Sequence, residues 1–503
     1  MTGHYQKHFN SSLPYSVYPA DNVRELEQRA VSELGLSLYQ LMERAGQAAF
    51  HRARQFYPTT RRWLVLCGHG NNGGDGYVVA RLARQLGIQV TLVAVEHNGG
   101  LLPPEAQQAR DAWIRAGGEI QGTSAEFADD IELIIDGLLG IGLRAALREP
   151  YASLIQTANQ HPAPILSLDI PSGLNADTGH ADGAVIQAQH TQTFIACKPG
   201  QLTGYARDVI GTLHCDELGL SHWLKKQNAP IARLDASLLN TWLHPRRPCS
   251  HKGDNGRLVL IGGDYGMAGA IRMAGEAALR SGAGLVRVLT HVEHISPLLT
   301  SCPEMMVQAL TKASLEAALD WADVIVIGPG LGQTEWARQA VQQLQRFDKP
   351  MLWDADALNL LAQSPSVNQH RILTPHPGEA ARLLNCSVAE IELDRIKAVK
   401  KLQQKYGGVA VLKGAGTLIA SEKKVSVADV GNPGMGTGGM GDVLSGIIGG
   451  LLAQKLPLYD AACSGCVVHG AAADEIAEEF GERGMLATDL FAVIRHYVNP
   501  KMA

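Results

Sequence analysis

The chain has 503 residues, 46% of them hydrophobic and 18% charged; that length calls for at least two cores, and that apolar share excludes a disordered chain. A formal net charge of -5 offers no basic field for nucleic acid or an anionic membrane, so neither is an expected partner. Any phosphate-bearing ligand must be held by local geometry.

The opening MTGHYQKHFNSSLPYS is polar and lacks the apolar core of a signal peptide. No apolar run reaches membrane-spanning length, and the longest, Val443–Ala453, is broken by glycines and reads as a buried helix. Eight cysteines are too few for a disulfide scaffold. Cys463 and Cys466 form a C-x-x-C without the two further close ligands that zinc needs, so they are expected to be buried thiols in a reducing cytoplasm.

In chain order, Ala20–Phe50 reads as helical, with Val23, Leu26, Ala30, Leu34, Leu38, Leu41 and Ala45 at helical spacing. That apolar stripe packs either on the first sheet or on a second subunit, and a homo-oligomer is the expected assembly. Apolar β-branched runs then alternate with helical patterns, the signature of α/β folds with parallel sheets. In the first half the strand runs are Arg62–Leu66, Gln89–Val95, Glu132–Asp136, Ile165–Asp169 and Gln192–Ala196. In the second they are Arg257–Ile261, Leu285–Leu289, Val324–Ile327, Met351–Asp354, Ile372–Thr374 and Val409–Leu412. Between them Ser221–Ser250 changes character, with KKQNAP and HPRRP, which divides the chain into domains 1–225 and 226–503.

Strand Arg62–Leu66 leads into CGHGNNGGDG and a helix over Tyr77–Leu86. Gly68, Gly70 and Gly73 satisfy G-x-G-x-x-G, and Glu96 lies where a ribose-binding acid should, which suggests a dehydrogenase. Asn71, Asn72 and Asp75 argue against it, because they add side chains where a bare pyrophosphate site wants none. Asn72, Asp136, Asp169 and Ser172 all fall at strand ends, where they serve either turn and capping chemistry or the binding of a monovalent cation. Lys198, in the turn CKPG, is either an assistant to Asp169 in proton transfer or a solvated surface lysine.

Four glycine-bearing segments stand out in the second half, three of them at strand ends. Ile327–Gly332 and Thr374–Glu379, the latter with His376, lie at a sheet's carboxyl edge, where open α/β sheets bind ligands. Val409–Leu412 runs into KGAGT, which is not a Walker A loop. The fourth, NPGMGTGGMGD, directly precedes the helical run VLSGIIGGLLAQ. Dense glycine before a helix aims several N–H groups and the helix dipole at one point, which suits a phosphoryl group. Asp442, closing that loop, repels the anion the loop attracts. It is either a helix cap or a base that takes a proton from a hydroxyl attacking phosphorus.

KGAGT, GMGTGGMGD, TPHPGE and IGGDYGMAGAIRMAGEAALRSGAG together resemble the ribokinase-like NAD(P)H-hydrate dehydratases over roughly residues 230–500. GHGNNGGDG, DGLLGIGLR, LDIPSGLNADTG and FIACKPG resemble the NAD(P)H-hydrate epimerase domain over roughly residues 20–220. The resemblance implies two α/β domains, an N-terminal Rossmann-like three-layer sandwich and a C-terminal ribokinase-like domain. It implies an enzyme that repairs NADHX and NADPHX, the hydrated reduced cofactors, by epimerising R and S forms and dehydrating S. ADP with Mg2+ would drive the dehydration, leaving AMP and phosphate.

Residue by residue, the resemblance makes Asp442 the dehydratase base, with Gly439 and Gly441 lining the anion hole. Lys413, Gly414, Ala415, Gly416 and Thr417 would hold the nucleotide, and Ala270, Gly332 and His376, with the segment on to Arg382, the hydrated cofactor. In the epimerase half, Asn71, Asn72, Gly73, Gly74 and Asp75 would bind the hydrated cofactor together with Gly140, Ile141, Gly142, Leu143, Arg144, Ala145, Ala146 and Asp169. Potassium (K+) would sit at Asn72, Asp136 and Ser172, and Asp169 with Lys198 would carry the acid–base chemistry. His251-Lys252-Gly253 opens the second domain, either near the nucleotide or in a structural role. The competing expectation is a vitamin-type small-molecule kinase, fused to a Rossmann-like NAD-binding or scaffold domain, that keeps its phosphorylated product.

Overall fold

The computed structural model describes residues 13–95, 101–143, 146–345 and 347–501. Glu96, Arg144 and Ala145 lie outside the described residues, as do the first twelve positions. The chain forms two compact units, Ser12–Ala232 and Arg233–Ala503. The first runs past residue 225 because Ala229, beyond the buried Trp223 and Leu224, still packs against its core.

In the first unit the expected single helix is two, Ala20–Leu34 and Leu38–Phe56. Gly35 ends the first at φ 67°, a left-handed conformation that glycine adopts without strain. Ser37 then restarts the chain as a capping box with Gln40. Val23, Leu26, Ala30, Leu41 and Ala45 share one core with Trp63, Val65 and Leu166, so these five are buried on the unit's own sheet, whereas Leu34 and Leu38, flanking the break between the helices, are exposed.

That sheet is wholly parallel, in the order Gln89–Ala94, Arg62–Cys67, Leu133–Gly137, Ile165–Leu168, His190–Phe194 and Thr212–Asp216. Trp63 and Val65 face the core shared with the first two helices, whereas Leu64 and Leu66 face a second core with Leu154 and Ile155 of the helix Tyr151–Gln160. Burial on both faces explains why the strands read as continuous apolar runs. The strand order reverses between Arg62–Cys67 and Leu133–Gly137, and the crevice beyond their carboxyl ends is the switch point where such sheets take ligands.

In the second unit the strand order is Val425–Ala428, Thr417–Ala420, Val409–Leu412, Arg371–Leu373, Met351–Trp353, Val324–Ile327, Arg257–Ile261, Leu285–Thr290 and Met306–Ala309. All pairs from Val409–Leu412 onward are parallel, and the first two strands add an antiparallel hairpin. The order reverses between Arg257–Ile261 and Val324–Ile327. The helix Met440–Ala453 packs closely on the helix Ala268–Arg280 because Gly446 has no side chain: a Cβ there would stand 2.2 Å from the Ala274 carbonyl oxygen.

Cys463 and Cys466 are buried free thiols on the helix Leu458–Phe480. Among the described residues no helix is long and apolar enough to cross a membrane.

Candidate active sites

In the second unit, two loops at the switch point are tied together: the Gly263 amide donates to the Pro329 carbonyl at 2.9 Å and the Asp264 amide to that of Gly330 at 2.7 Å. Ala270 belongs to the same cluster, its Cβ 3.1 Å from where a side chain on Gly330 would begin. The Gly332 amide donates to Asp356 Oδ2 at 2.8 Å. Ala270 and Gly332 therefore border one crevice.

His376 starts the helix Pro377–Leu384, accepting from the Gly378 amide through Nδ1 at 3.0 Å while its own amide donates to Glu379 Oε2 at 2.8 Å. Arg382, the far end of that expected segment, is turned to Asn359 Oδ1 at 2.8 Å. Lys413 Nζ, at the end of its strand, reaches Asp354 Oδ1 at 2.8 Å and Glu379 Oε2 at 3.8 Å. The second oxygen of Asp354 accepts from Ser445 Oγ at 2.8 Å. Burial pulls the Lys413 pKa down, but Asp354 and Glu379 outweigh it and hold it above the ordinary lysine value.

Asp442 is not the cap of its helix. Gly439 holds the N-cap position, at φ 91°, and Asp442 lies in the first turn behind it. Burial, then the nearby Asp354 charge, pushes the Asp442 carboxyl up to about 7, against the opposing pull of Lys413. A Cβ on Gly441 would stand 3.3 Å from Lys413 Nζ, so the glycine backbone lies directly against the ammonium. The site thus joins a carboxyl that is half-ionised near neutrality to a cation and to amides at a helix N-terminus.

In the KGAGT loop, Gly414 and Ala415 are exposed. The buried Arg395 guanidinium lies beneath them and donates to the Lys413 carbonyl at 3.1 Å. Gly414 adopts φ 135°, where a Cβ would meet that guanidinium at 2.8 Å. Thr417 Oγ1 donates to the Gly414 carbonyl at 3.1 Å. His251-Lys252-Gly253 does not reach this region. It precedes the amino end of strand Arg257–Ile261, on the edge opposite the loops, and His251 pairs with Asp254.

In the first unit, the helix begins at Asn71 rather than Tyr77, so most of the glycine motif is helical. A Cβ on Gly73 would lie 2.0 Å from the Gly68 carbonyl oxygen and one on Gly74 2.5 Å from Met42 Cε. Those two glycines let the helix approach its neighbours. Asn71 turns outward to Glu105 Oε1 at 2.8 Å. Asn72 turns inward, and among the described residues neither its Oδ1 nor its Nδ2 has a hydrogen-bond partner although both are buried.

Gly140 closes on the same spot, since a Cβ there would stand 3.3 Å from Asn72 and 3.4 Å from Asp169 Oδ2. Asp169 has φ 62° and accepts from Thr193 Oγ1 at 3.0 Å and Lys198 Nζ at 2.5 Å. Lys198 is only 1% exposed, which removes the solvated-lysine alternative. Asp136, wholly buried, accepts from Ser172 Oγ at 2.5 Å, Ser172 N at 2.9 Å and Ser167 Oγ at 2.8 Å. Asp75 is buried too, and desolvation followed by the charges of Asp169 and Glu27 drives its carboxyl well above the usual range. Ile141, Gly142, Leu143 and Ala146 are part-buried or exposed in the turn that follows Gly140.

Sequence reasoning missed Glu27, Asp354, Asp356 and Arg395. Asp354 ends a strand, the position that singled out Asp136, so that signal was available. Glu27 is one acid among many on a surface-patterned helix, and only the packing of that helix brings it to Asp169 and Lys198.

A family model described as NAD(P)H-hydrate dehydratase matches residues 258–496, and one described as YjeF-related protein N-terminus matches residues 38–200. The chain is 62% identical over 503 residues to the bifunctional NAD(P)H-hydrate repair enzyme of Escherichia coli, covering 100% of this chain and 98% of that protein. It is 47% identical to the enzyme of the same name from Vibrio cholerae, covering 97% of this chain and 99% of that one. Among solved structures, a ribokinase-like superfamily protein of Enterococcus faecalis superposes with a TM-score of 0.51 at 32% identity, covering 54% of this chain and 96% of that one.

Proposed function

The chain belongs to the bifunctional NAD(P)H-hydrate repair enzymes, and from that premise we propose how its residues divide the work. It is an epimerase and an ADP- or ATP-dependent dehydratase in one polypeptide. The second unit has the ribokinase-like fold.

In the dehydratase unit, Asp442 removes the proton from the hydroxyl on carbon 6 of the hydrated ring as that oxygen attacks the terminal phosphorus of the nucleotide. Phosphate then leaves carbon 6 with the C–O bonding pair, an easier departure than that of hydroxide, and carbon 5 gives up a proton to water so that the ring double bond re-forms. Lys413 and the amides of Gly439–Gly441 oppose the charge that builds on the transferring group. Gly414–Thr417 carry the rest of the nucleotide, while Ala270, Gly332 and His376 border the cofactor. These donors suit phosphate oxygens rather than a bare cation, so Mg2+ would be carried in on the nucleotide, whose charge it neutralises. ADP is the proposed nucleotide. The observation that carries this reading is Asp442 itself, pushed up to about 7 beside the Lys413 ammonium and the glycine loop.

In the epimerase unit, Asp169 and Lys198 supply acid–base chemistry against a cofactor bordered by Asn72, Gly140 and the following turn. A potassium ion fits the oxygens of Asn72, Asp136 and Ser172, for the buried Asn72 carboxamide oxygen has no partner among the described residues. When bound there, the ion supplies fixed positive charge to orient an anionic or carbonyl oxygen. The eight free cysteines support a reducing, cytoplasmic setting.

The test is to incubate the full chain with mixed R and S hydrated NADH and either ADP or ATP. Return of the reduced-nicotinamide absorbance from both epimers establishes both activities and the nucleotide. Accumulation of a stable phosphorylated product without phosphate release would instead identify a kinase.

A further inference from the structure

The helix Ala20–Leu34 buries Val23, Leu26 and Ala30, and Arg24 and Glu27, three residues apart, share one flank of that stripe. The flank is pinned over the N-terminal site: Arg24 Nη2 donates to the Ile141 carbonyl at 3.2 Å, within the turn whose Gly140 borders Asn72 and Asp169. Glu27, on the same flank, is thereby brought close enough to feel the charges of Asp169 and Lys198, together with those of Arg24 and Glu105. Its carboxyl is half-buried, and no hydrogen bond reaches it among the described residues. Asp75, the other carboxyl of the cluster, is enclosed within the packed helix Asn71–Gln85 and less open to a ligand.

We propose that Glu27 is the second acid–base group of the epimerase site, serving the ring nitrogen of the hydrated cofactor while Asp169 serves the hydroxyl on carbon 6. The proposal rests on the epimerase reading of this unit. Asp169, ion-paired to Lys198, takes the hydroxyl proton as the bond between carbon 6 and the ring nitrogen breaks. Carbon 6 becomes a carbonyl carbon, and the electron pair of the broken bond goes to nitrogen, which takes its proton from Glu27. After the aldehyde rotates, nitrogen adds to its other face, returning its proton to Glu27 while the oxygen recovers one from Asp169. Atoms, electrons and protonation states are restored, so no oxidant or co-reactant is needed. Burial, followed by the charge of Asp169, pushes the Glu27 carboxyl up to about 7, against Lys198 and Arg24, which suits an acid at neutral pH.

The experiment follows R/S exchange of hydrated NADH by chromatography with the full chain and its Glu27→Gln and Glu27→Asp variants across pH, without nucleotide. Wild-type exchange should fall as pH rises above about 7, because the acid is lost. Glu27→Gln should slow exchange at least ~100-fold and abolish that falling limb, and Glu27→Asp should recover part of the rate and the limb. Nucleotide-driven dehydration of pure S hydrate by the same samples reports whether the rest of the chain is intact. Wild-type exchange in Glu27→Gln, or a slow variant that keeps the wild-type pH profile, overturns the proposal. Absence of exchange above the enzyme-free rate in the wild-type chain overturns the epimerase reading itself.

Discussion

Across the intervening strand Arg371–Leu373, the Lys413 ammonium meets the buried Asp354 carboxylate at 2.8 Å, and this pair adjusts the ionisation of Asp442, whose pKa burial raises first. Asp354 then raises the Asp442 pKa further and Lys413 lowers it, so the proposed base of the dehydratase is tuned by two neighbouring side chains. Because Asp442 accepts a proton only when ionised, and its carboxyl stands at about 7, dehydration should be lost as pH falls through that value and level off above it. A pH profile of kcat/KM for S hydrate checks the limb. Asp354→Asn removes the nearer negative charge and releases Lys413, so the rising limb should move to lower pH.

Asp442→Ala should reduce dehydration at least ~100-fold, the low end for loss of a general base, without affecting R/S exchange. Recovery of reduced-nicotinamide absorbance measures the first and chromatography the second. Near-normal turnover in this variant would sink the mechanism.

Gly441→Ala would place a methyl group 3.3 Å from Lys413 Nζ, in the space the phosphate oxygens need. The helix beyond tolerates alanine well, so the folded state should persist while KM for the nucleotide rises and kcat falls. Steady-state kinetics with unchanged circular dichroism would bear this out.

Lys198→Met removes one partner of a buried ion pair and leaves Asp169 without its cation. Breaking such pairs costs about 3 kcal/mol or more, so the urea midpoint of the first unit should fall along with epimerase activity. Asn72→Leu should leave the fold in place but abolish any dependence of exchange on potassium, compared with tetramethylammonium at equal ionic strength.

His190 and His214, 3.2 Å apart, are both held neutral in the folded first unit. Burial and Arg52 lower them to about 4 and about 3, and Phe56 stacks on His190 at 4.0 Å. Unfolded histidines take up protons near 6.5, so this pair should cost stability progressively as pH falls from about 6.5 toward 4. Denaturant midpoints against pH should show that loss, and His190→Phe should reduce it.

Strands buried on both faces, such as Arg62–Cys67 and Val324–Ile327, are legible because an uninterrupted apolar run needs no partner to be recognised. The hairpin Thr417–Ala420 and Val425–Ala428 is not. Its strands are four residues long, too short to show a period, and their pairing with Val409–Leu412 is a long-range choice. The glycine loop beside Asp442 was readable because glycine before a helix has few other uses. The glycines of Gly68–Gly76 were ambiguous, because close packing of a helix demands the same residue as phosphate binding does, and only the side chains of Asn71, Asn72 and Asp75 argued against a dinucleotide site.

By itself, then, the sequence determined two α/β units, put Asp442 in a glycine loop before a helix and put Lys413, His376, Asn72 and Asp169 near strand ends, since these depend on local pattern. Only the tertiary structure decided that Asp442 stands in the first turn of its helix with its carboxyl near 7, and that Lys198 is buried against Asp169. Only it, too, carries Glu27 from a surface-patterned helix to that pair. Proton affinity depends on burial and on charges brought together from distant parts of the chain, and no local spacing encodes those distances.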